Sequence, residues 1–274
     1  MTIAVLDDRA VLRIAGADAR SFLQGLLTHD VALLSPERPL YAGLLSAQGK
    51  ALFDMILFDG GDSVLIDVAA NRAEALAKRL TLYRMRKAVT IEPALLHVHA
   101  GWAGDEAGHT PDPRTDALGS RWLAPEPAAG TEGAAAYEAH RLATGVPGSA
   151  DIGEDELLWL ETGADLLDGV SFTKGCYVGQ ENTARMHYRD NVRRRLVPVR
   201  LAGAVAPGAD YGIKDDAGRA TGTLRSALGN LGMAHLRLEA AKGPLVLADG
   251  GPALEVLKPA WLVPALDAAA GETN

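Results

Sequence analysis

The sequence predicts an α+β protein that ends in a β-barrel, and two observations carry that prediction. Between Tyr41 and Ala100 the apolar pattern runs three strands, a helix and two more strands, the order of a small sandwich with helices on one face of an antiparallel sheet. After Asn191 the chain becomes short strands at close spacing, cut by Gly, Pro and Asp turns, which is the pattern of a compact all-β unit or barrel.

Taken in order, Ala10 to Ile14 alternates as a strand. Gly16 to Leu27 then reads as a helix with Asp18 as N-cap and Ala19, Phe22, Leu23, Leu26 and Leu27 on one face. Tyr41 to Leu45 and Ala51 to Phe58 are strands joined by Ser46-Ala47-Gln48-Gly49-Lys50, where Gly49 accepts a positive φ. Asp59-Gly60-Gly61-Asp62 is a hairpin turn into the strand Ser63 to Val68. Asn71 caps a helix to about Tyr83 with Ala75, Leu76, Leu80 and Tyr83 inward, and Ala88 to Ile91 and Leu95 to Ala100 follow as strands. Gly101 to Gly133, rich in Gly, Pro and Ala, reads as a flexible connection with one edge strand around Arg121-Trp122-Leu123 and a boundary near Gly130. Ala134 to Ala143 is a helix stopped by Gly145-Val146-Pro147. Five strands follow: Arg194 to Leu201, Ala220 to Leu224, Gly232 to Leu238, Leu245 to Leu247 and Ala253 to Leu257. Turns separate them, beginning at Ala206-Pro207-Gly208, and an alanine-rich tail frays after Pro264.

Composition bounds the function. The 274 residues are 48% hydrophobic and 23% charged, an ordinary globular balance. No apolar run approaches the ~20 residues that span a bilayer, and the first eight residues lack the basic start and apolar core of a secretory signal, so a cytoplasmic protein with no membrane partner is expected. A net charge of −8 disfavours a nucleic-acid partner. A single cysteine excludes an internal disulfide and any metal site built from several cysteines of one chain.

Chemistry concentrates between Ser171 and Arg195. Lys174-Gly-Cys-Tyr-Val-Gly-Gln-Glu181 sets an amine, a thiol, a phenol, a carboxamide and a carboxylate within eight residues, ahead of what reads as a helix start at Gly179. Cys176 reads as a thiol activated by Lys174 and that helix N-terminus, or as a small buried hydrophobe. Arg185 to Arg195 holds five arginines against Asp190, a positive patch suited to a small polyanion or an acidic protein, or simply a solvated face. Asp54 interrupts the strand Leu52 to Phe58 on the face of Leu52, Ile56 and Phe58, where an ionised carboxylate needs a partner or a ligand donor unless it turns to water at a sheet edge. Gln48-Gly49-Lys50 and Arg84-Met85-Arg86-Lys87 can hold an anionic tail or be solvated ends. His97 and His99 share a strand face without the companions a metal site needs. Neither a phosphate loop nor a dinucleotide fingerprint is present.

The octapeptide 174–181, with Gly169-Val-Ser-Phe-Thr173 before it and Thr183-Ala-Arg185 after it, resembles the folate-binding YgfZ family. Further matches are Gly16-Ala-Asp18, Phe22-Leu-Gln-Gly25, Gln48-Gly-Lys50 followed by Asp54, and Tyr83-Arg84-x-Arg86-Lys. The run Val192-Arg-Arg-Arg-Leu-Val-Pro198 looks like that family's mitochondrial-type branch. The family is related to the T-protein, the aminomethyltransferase of the glycine cleavage system.

The resemblance implies a T-protein-like ring of three parts with a ferredoxin-like sandwich and a C-terminal β-barrel. Residues 1–40 with 134–190 would form a folate-binding body, 41–133 the sandwich, 191–266 the barrel and 267–274 a frayed tail. It implies tetrahydrofolate as ligand, iron–sulfur assembly or client proteins as partners, and a role in forming or repairing 4Fe-4S clusters. The motif cysteine would stand at the mouth of the folate site. Cys176, Lys174 and Asp54 are then the candidate catalytic residues, and Asp54, Tyr137, Arg141, Tyr177, Gln180, Glu181 and Arg185 the candidate folate contacts. One position departs: Ala143 stands where T-proteins carry a pterin-binding glutamate, which weighs against the alternative of a tetrahydrofolate-dependent aminomethyltransferase or demethylase. A third reading is a non-catalytic protein that docks partners through the arginine patch.

Overall fold

The computed structural model describes residues 2–104, 108–128, 132–189, 192–206, 211–248 and 250–271. Two strands open the chain, β1 (Thr2–Val5) and β2 (Arg9–Ala15), followed by α1 (Ala19–Gln24). A meander of β3 (Leu40–Leu45), β4 (Ala51–Asp59) and β5 (Ser63–Ala69) leads into α2 (Ala73–Arg84) and β6 (Thr90–Ala94). Their antiparallel sheet has the order β3-β4-β5-β2-β6. Ala19, Phe22 and Leu23 of α1 and Leu76 and Leu80 of α2 share a core with Leu12, Met55, Leu57 and Ile66 of the sheet. Residues of opposite strand parity, Tyr41, Ile56 and Phe58, pack instead with Trp159, Leu142 and Leu160. This β-α-β-β-β-α-β unit is the expected sandwich, but it begins earlier: β2 and α1, expected with 134–190, belong to it because β2 pairs along its whole length with β5 and also with β6.

Three local readings change. Asp18 does not cap α1; its carboxylate accepts from Ala88 N at 2.8 Å and ties the helix to the loop before β6. A 3-10 turn over Ala70–Arg72 takes the place expected for an Asn71 cap, and α2 buries Leu76 and Leu80 while Ala75 and Tyr83 are exposed. The two strands expected after α2 part company. β6 stays in the five-stranded sheet, whereas β7 (His97–Trp102) pairs with β1 and β8 (Ser120–Ala124) in a second sheet of order β1-β7-β8. The expected flexible connection is therefore anchored by β8; the boundary expected near Gly130 lies outside the described residues.

The chain then forms α3 (Ala134–Thr144), α4 (Ser149–Ile152) and α5 (Gln180–Tyr188). Gly145 ends α3 in the left-handed conformation, φ 74°, as the Gly-x-Pro stop predicts. The last unit is a closed barrel of β9 (Arg194–Leu201), β10 (Tyr211–Asp215), β11 (Ala220–Leu228), β12 (Leu231–Arg237), β13 (Leu245–Leu247) and β14 (Ala253–Val256), ordered β10-β11-β12-β9-β14-β13. β10 was not legible because it is five residues long with a glycine inside. The turn expected at Ala206-Pro207-Gly208 lies mostly outside the described residues. The tail does not fray where expected: α6 (Val263–Gly271) continues it, with Leu262 and Leu266 buried against the barrel core. Pro264 sits in the first turn of α6, where a missing N–H costs nothing. Residues 272–274 lie outside the described residues.

Candidate functional site

Alternation along β4 turns Asp54 away from α1 and α2 and toward a cavity of about 680 Å3. Its walls come from β3 and β4 (Tyr41, Phe53, Asp54, Ile56), the turn before α2 (Asn71, Arg72), the second sheet (Arg121) and α3 (Tyr137, Arg141). Asp54 is buried and makes no hydrogen bond or ion pair among the described residues. Burial pushes the Tyr41 hydroxyl well above the ordinary tyrosine range, and the negative charge of Asp54 adds to that shift, so Tyr41 stays protonated. Arg72 is held at the rim by the Leu52 carbonyl at 3.3 Å, by the Phe53 ring at 4.8 Å and by the Glu154 carboxylate.

The floor is a buried polar network. Asp67 of β5 receives Arg9 Nε at 2.6 Å and Arg121 Nε at 2.7 Å. Asp112 receives Arg114 through Nε at 2.9 Å and Nη2 at 2.7 Å. Both arginines from this segment meet at Tyr137, whose Oη accepts from Arg114 Nη2 at 2.7 Å and Arg121 Nη1 at 3.1 Å. A phenol oxygen has two lone pairs, so with both engaged its own hydrogen is left to donate. The site thus offers an anionic acceptor, Asp54, and a neutral donor, Tyr137, between aromatic walls.

Arg141 reaches the wall of this cavity, but its guanidinium is committed. It donates to Glu138 Oε2 at 2.8 Å, Asp151 Oδ2 at 2.8 Å and the Val146 carbonyl. Burial pushes the Arg141 pKa down, and the neighbouring Asp151 and Glu138 carboxylates more than reverse that, so it stays charged. Ala143 is exposed on α3 and does not line the cavity.

The 174–181 motif sits elsewhere. Lys174, Cys176, Tyr177, Gln180, Glu181 and Arg185 are all absent from the lining of this cavity, so it does not bring the expected motif residues together with Asp54 and Tyr137. The loop is carried instead onto α1 and onto the β3–β4 turn. Lys174 is buried, and its Nζ donates to the carbonyls of Gln24, Leu27 and His29 at 2.6, 2.7 and 3.0 Å. Burial pushes its pKa down to about 8, opposed by the Asp30 carboxylate. With its donors engaged there, the expected activation of the Cys176 thiol by Lys174 has no hydrogen bond to work through. Cys176 itself is free and exposed, so the reading of it as a buried hydrophobe does not hold.

Tyr177 is buried beneath the Lys174 ammonium, 5.2 Å from its ring centre, and burial pushes its hydroxyl up to about 12. Gly179 opens α5 at φ 82°, and Gln180 Oε1 accepts from Tyr177 N at 3.3 Å. Glu181 and Arg185 are exposed; Arg185 donates to Asn182 Oδ1, and Asn182 Nδ2 in turn holds the Gln48 carbonyl at 2.9 Å. In the 46–50 turn, Lys50 Nζ is engaged by the Asp155 carbonyl at 3.0 Å.

The positive patch is smaller than expected. Arg195 is buried against Asp165, at 2.6 and 2.8 Å, leaving Arg185, Arg189 and Arg193 exposed, while Asp190 lies outside the described residues. His99 is buried, stacks 5.2 Å from Trp122 and accepts from Ala128 N at 3.1 Å. Among the described residues no cluster of three or more His, Cys, Asp or Glu is arranged to hold a metal, and no helix is long and apolar enough to cross a membrane.

Sequence reasoning missed Arg9, Tyr41, Asp67, Asp112 and Arg114. Only Asp67 left a signal, a carboxylate inside the apolar strand Ser63–Ala69, as Asp54 is inside β4. Asp112 and Arg114 lie in a segment whose composition reads as loop, and the partners that hold them, Gly119 for the Asp112 N–H and Tyr137 for the Arg114 guanidinium, are not legible from that segment's own pattern.

Residues 193–264 match the family model described as the CAF17 C-terminal β-barrel domain. The human mitochondrial protein named iron–sulfur cluster assembly factor IBA57 is 37% identical, over 93% of this chain and 84% of its own length. The mouse protein of the same name is 36% identical over 88% and 78%, and a homologue from the fungus Phaeosphaeria nodorum 33% over 91% and 73%. Among solved structures, the glycine cleavage system aminomethyltransferase T from Bartonella henselae superposes with a TM-score of 0.74 at 16% identity, covering 95% of this chain and 86% of that one. That likeness shows the T-protein-like fold. The names of the relatives also overturn the cytoplasmic expectation, since the mouse, human and fungal proteins are all named as mitochondrial.

Proposed function

Because the chain belongs to the family of the iron–sulfur cluster assembly factor IBA57, we propose that it is a tetrahydrofolate-binding accessory protein for assembly or repair of 4Fe-4S clusters in client enzymes. The observation that carries the assembly role is identity above 35% to relatives of that name along most of both chains. The folate part is supported by the chemistry of the cavity. Its volume suits a small organic ligand. Asp54 offers an acceptor to the amino and imino hydrogens of a pterin, Tyr137 a donor to a ring nitrogen or carbonyl, and Tyr41 and Phe53 aromatic surface. Arg72 at the rim is the cation available to a ligand carboxylate, in competition with Glu154.

Cys176, exposed on a loop outside the cavity, serves in this reading as a transient thiolate toward a partner that carries the cluster, and Arg185, Arg189 and Arg193 meet an acidic face of that partner. Aminomethyl transfer has only the fold likeness behind it and is not proposed. Calorimetry with tetrahydrofolate tests the ligand: saturable binding that weakens about tenfold or more in Asp54→Ala supports it, at the ~1.4 kcal/mol or more expected of a lost charged hydrogen bond. Absence of binding to the parent protein removes the folate part. Restoration of 4Fe-4S enzyme activity in a deletion strain tests the thiol, and a Cys176→Ala variant as effective as the parent would refute it.

A further inference from the structure

We propose that Lys174 is a positioning residue, whose ammonium clamps the Cys176 loop onto the carbonyl end of α1 and is not the activator of the thiol. An ammonium has three hydrogens to donate. Three backbone carbonyls stand around it within 2.6–3.0 Å, those of Gln24, Leu27 and His29. The first closes α1 and the others follow in the turn behind it, where a helix leaves carbonyls without intrahelical partners and carries partial negative charge. The side chain that satisfies them arrives from 145 residues or more along the chain, so it is a tertiary tie and not a local cap.

The same two segments are joined at other points. Thr28 Oγ1 donates to the Gly169 carbonyl at 2.7 Å, and Ser171 N donates to the Thr28 carbonyl at 3.0 Å. Within the loop, Lys174 N donates to Ser171 Oγ at 3.3 Å, and the ammonium covers the Tyr177 ring. Cys176 is thus carried between two fixed residues, Lys174 and Tyr177, both buried, while it is itself exposed. Burial lowers the Lys174 pKa to about 8, so the ammonium form and all three donors are present at neutral pH. What the clamp means for cluster chemistry rests on the role proposed for Cys176; the clamp itself does not.

Two measurements on the full chain test this. Competitive reductive methylation of the parent, read by mass spectrometry, is expected to label Lys174 at least about tenfold more slowly than the exposed Lys87, as for any group that reacts only on local opening; labelling at the Lys87 rate overturns the clamp. In Lys174→Met, hydrogen exchange across 171–179 is expected to rise about tenfold with exchange in β4 and β5 unchanged, while the pH midpoint of Cys176 alkylation by iodoacetamide stays put. A midpoint raised by about one unit or more, the size expected when a cation beside a thiol is removed, with loop exchange unchanged, overturns the proposal. If Lys174→Met does not fold, the labelling of the parent decides. A Cys176→Ala variant that supports client enzymes fully defeats the functional reading and leaves the labelling result standing.

Discussion

Arg121 Nε lies 2.7 Å from Asp67 Oδ2, with both side chains closed to solvent, and this contact fastens the second sheet to the sandwich. A buried pair of this kind is weak evidence of net stabilisation, because desolvation offsets the attraction, but removing one partner strands the other. Asp67→Asn leaves Arg9 and Arg121 facing a neutral amide. It is expected to cost about 3–5 kcal/mol, read as a melting temperature lowered by roughly 10 °C or more. The double variant Asp67→Asn with Arg121→Met should be less destabilised than the sum of the two single variants; strict additivity in a double-mutant cycle would count against coupling.

Acid sensitivity follows from the same network. Burial pushes the Asp67 and Asp112 carboxyls up, but Arg121 and Arg9 at the first and Arg114 at the second more than reverse this and hold both below the ordinary carboxylate range. A carboxyl with a depressed folded pKa binds its proton less readily folded than unfolded. Its stabilisation is complete above the unfolded value of about 4 and is lost as pH falls through the folded value. The urea midpoint should therefore show no pH dependence from these two carboxyls between pH 7 and 5 and should drop below about pH 4. In Asp112→Asn the drop should be shallower, and an acid limb identical to the parent's would rule out a contribution from Asp112.

The two glycines of the 174–181 motif, Gly175 and Gly179, differ in the structure. Gly179 has φ 82°, and an added Cβ would stand 2.5 Å from the Ser46 carbonyl oxygen and 2.9 Å from Leu45 Cβ, whereas at Gly175 it would meet nothing within 4 Å. Gly179→Ala should cost about 2 kcal/mol or more through strain and displacement of the β3–β4 turn. Gly175→Ala should stay within about 0.5 kcal/mol of the parent. Chemical denaturation of both variants checks the contrast, and equal effects would contradict it.

Tyr137 joins the floor of the cavity to its contents. Tyr137→Phe removes the acceptor shared by Arg114 and Arg121, at a cost of about 1–3 kcal/mol for donors left unsatisfied. If the phenol hydrogen also reads the ligand, tetrahydrofolate affinity measured by calorimetry should fall in the same variant. A variant that is destabilised but binds as the parent does would confine Tyr137 to a structural role.

Much was determined by local sequence. The alternation of Leu52 to Phe58, the helical spacing of Ala19, Phe22 and Leu23 and the turn chemistry of Gly49 and Gly145 each act within a few residues, so each is legible without the rest of the molecule, although α1 stops at Gln24 and not at the expected Leu27. Asp54 stood out for the same reason, as a charge where the period demands an apolar residue. The density of the 174–181 motif was legible too, but not its direction. Whether the Lys174 ammonium faces a thiol two residues away or carbonyls in a distant turn depends on which segments the fold brings together, and its hydrogen bonds go to the carbonyls at and after the end of α1. Tertiary structure alone decided that Asp112, Arg114 and Arg121 form a buried floor, because such charges pattern as a solvated loop until the fold brings Asp67 and Tyr137 to them. It likewise decided that β2 joins the sandwich and that the cavity and the thiol loop stand apart. Pairing of distant strands and partnering of buried charges are non-local, and the period of a single segment carries no record of them.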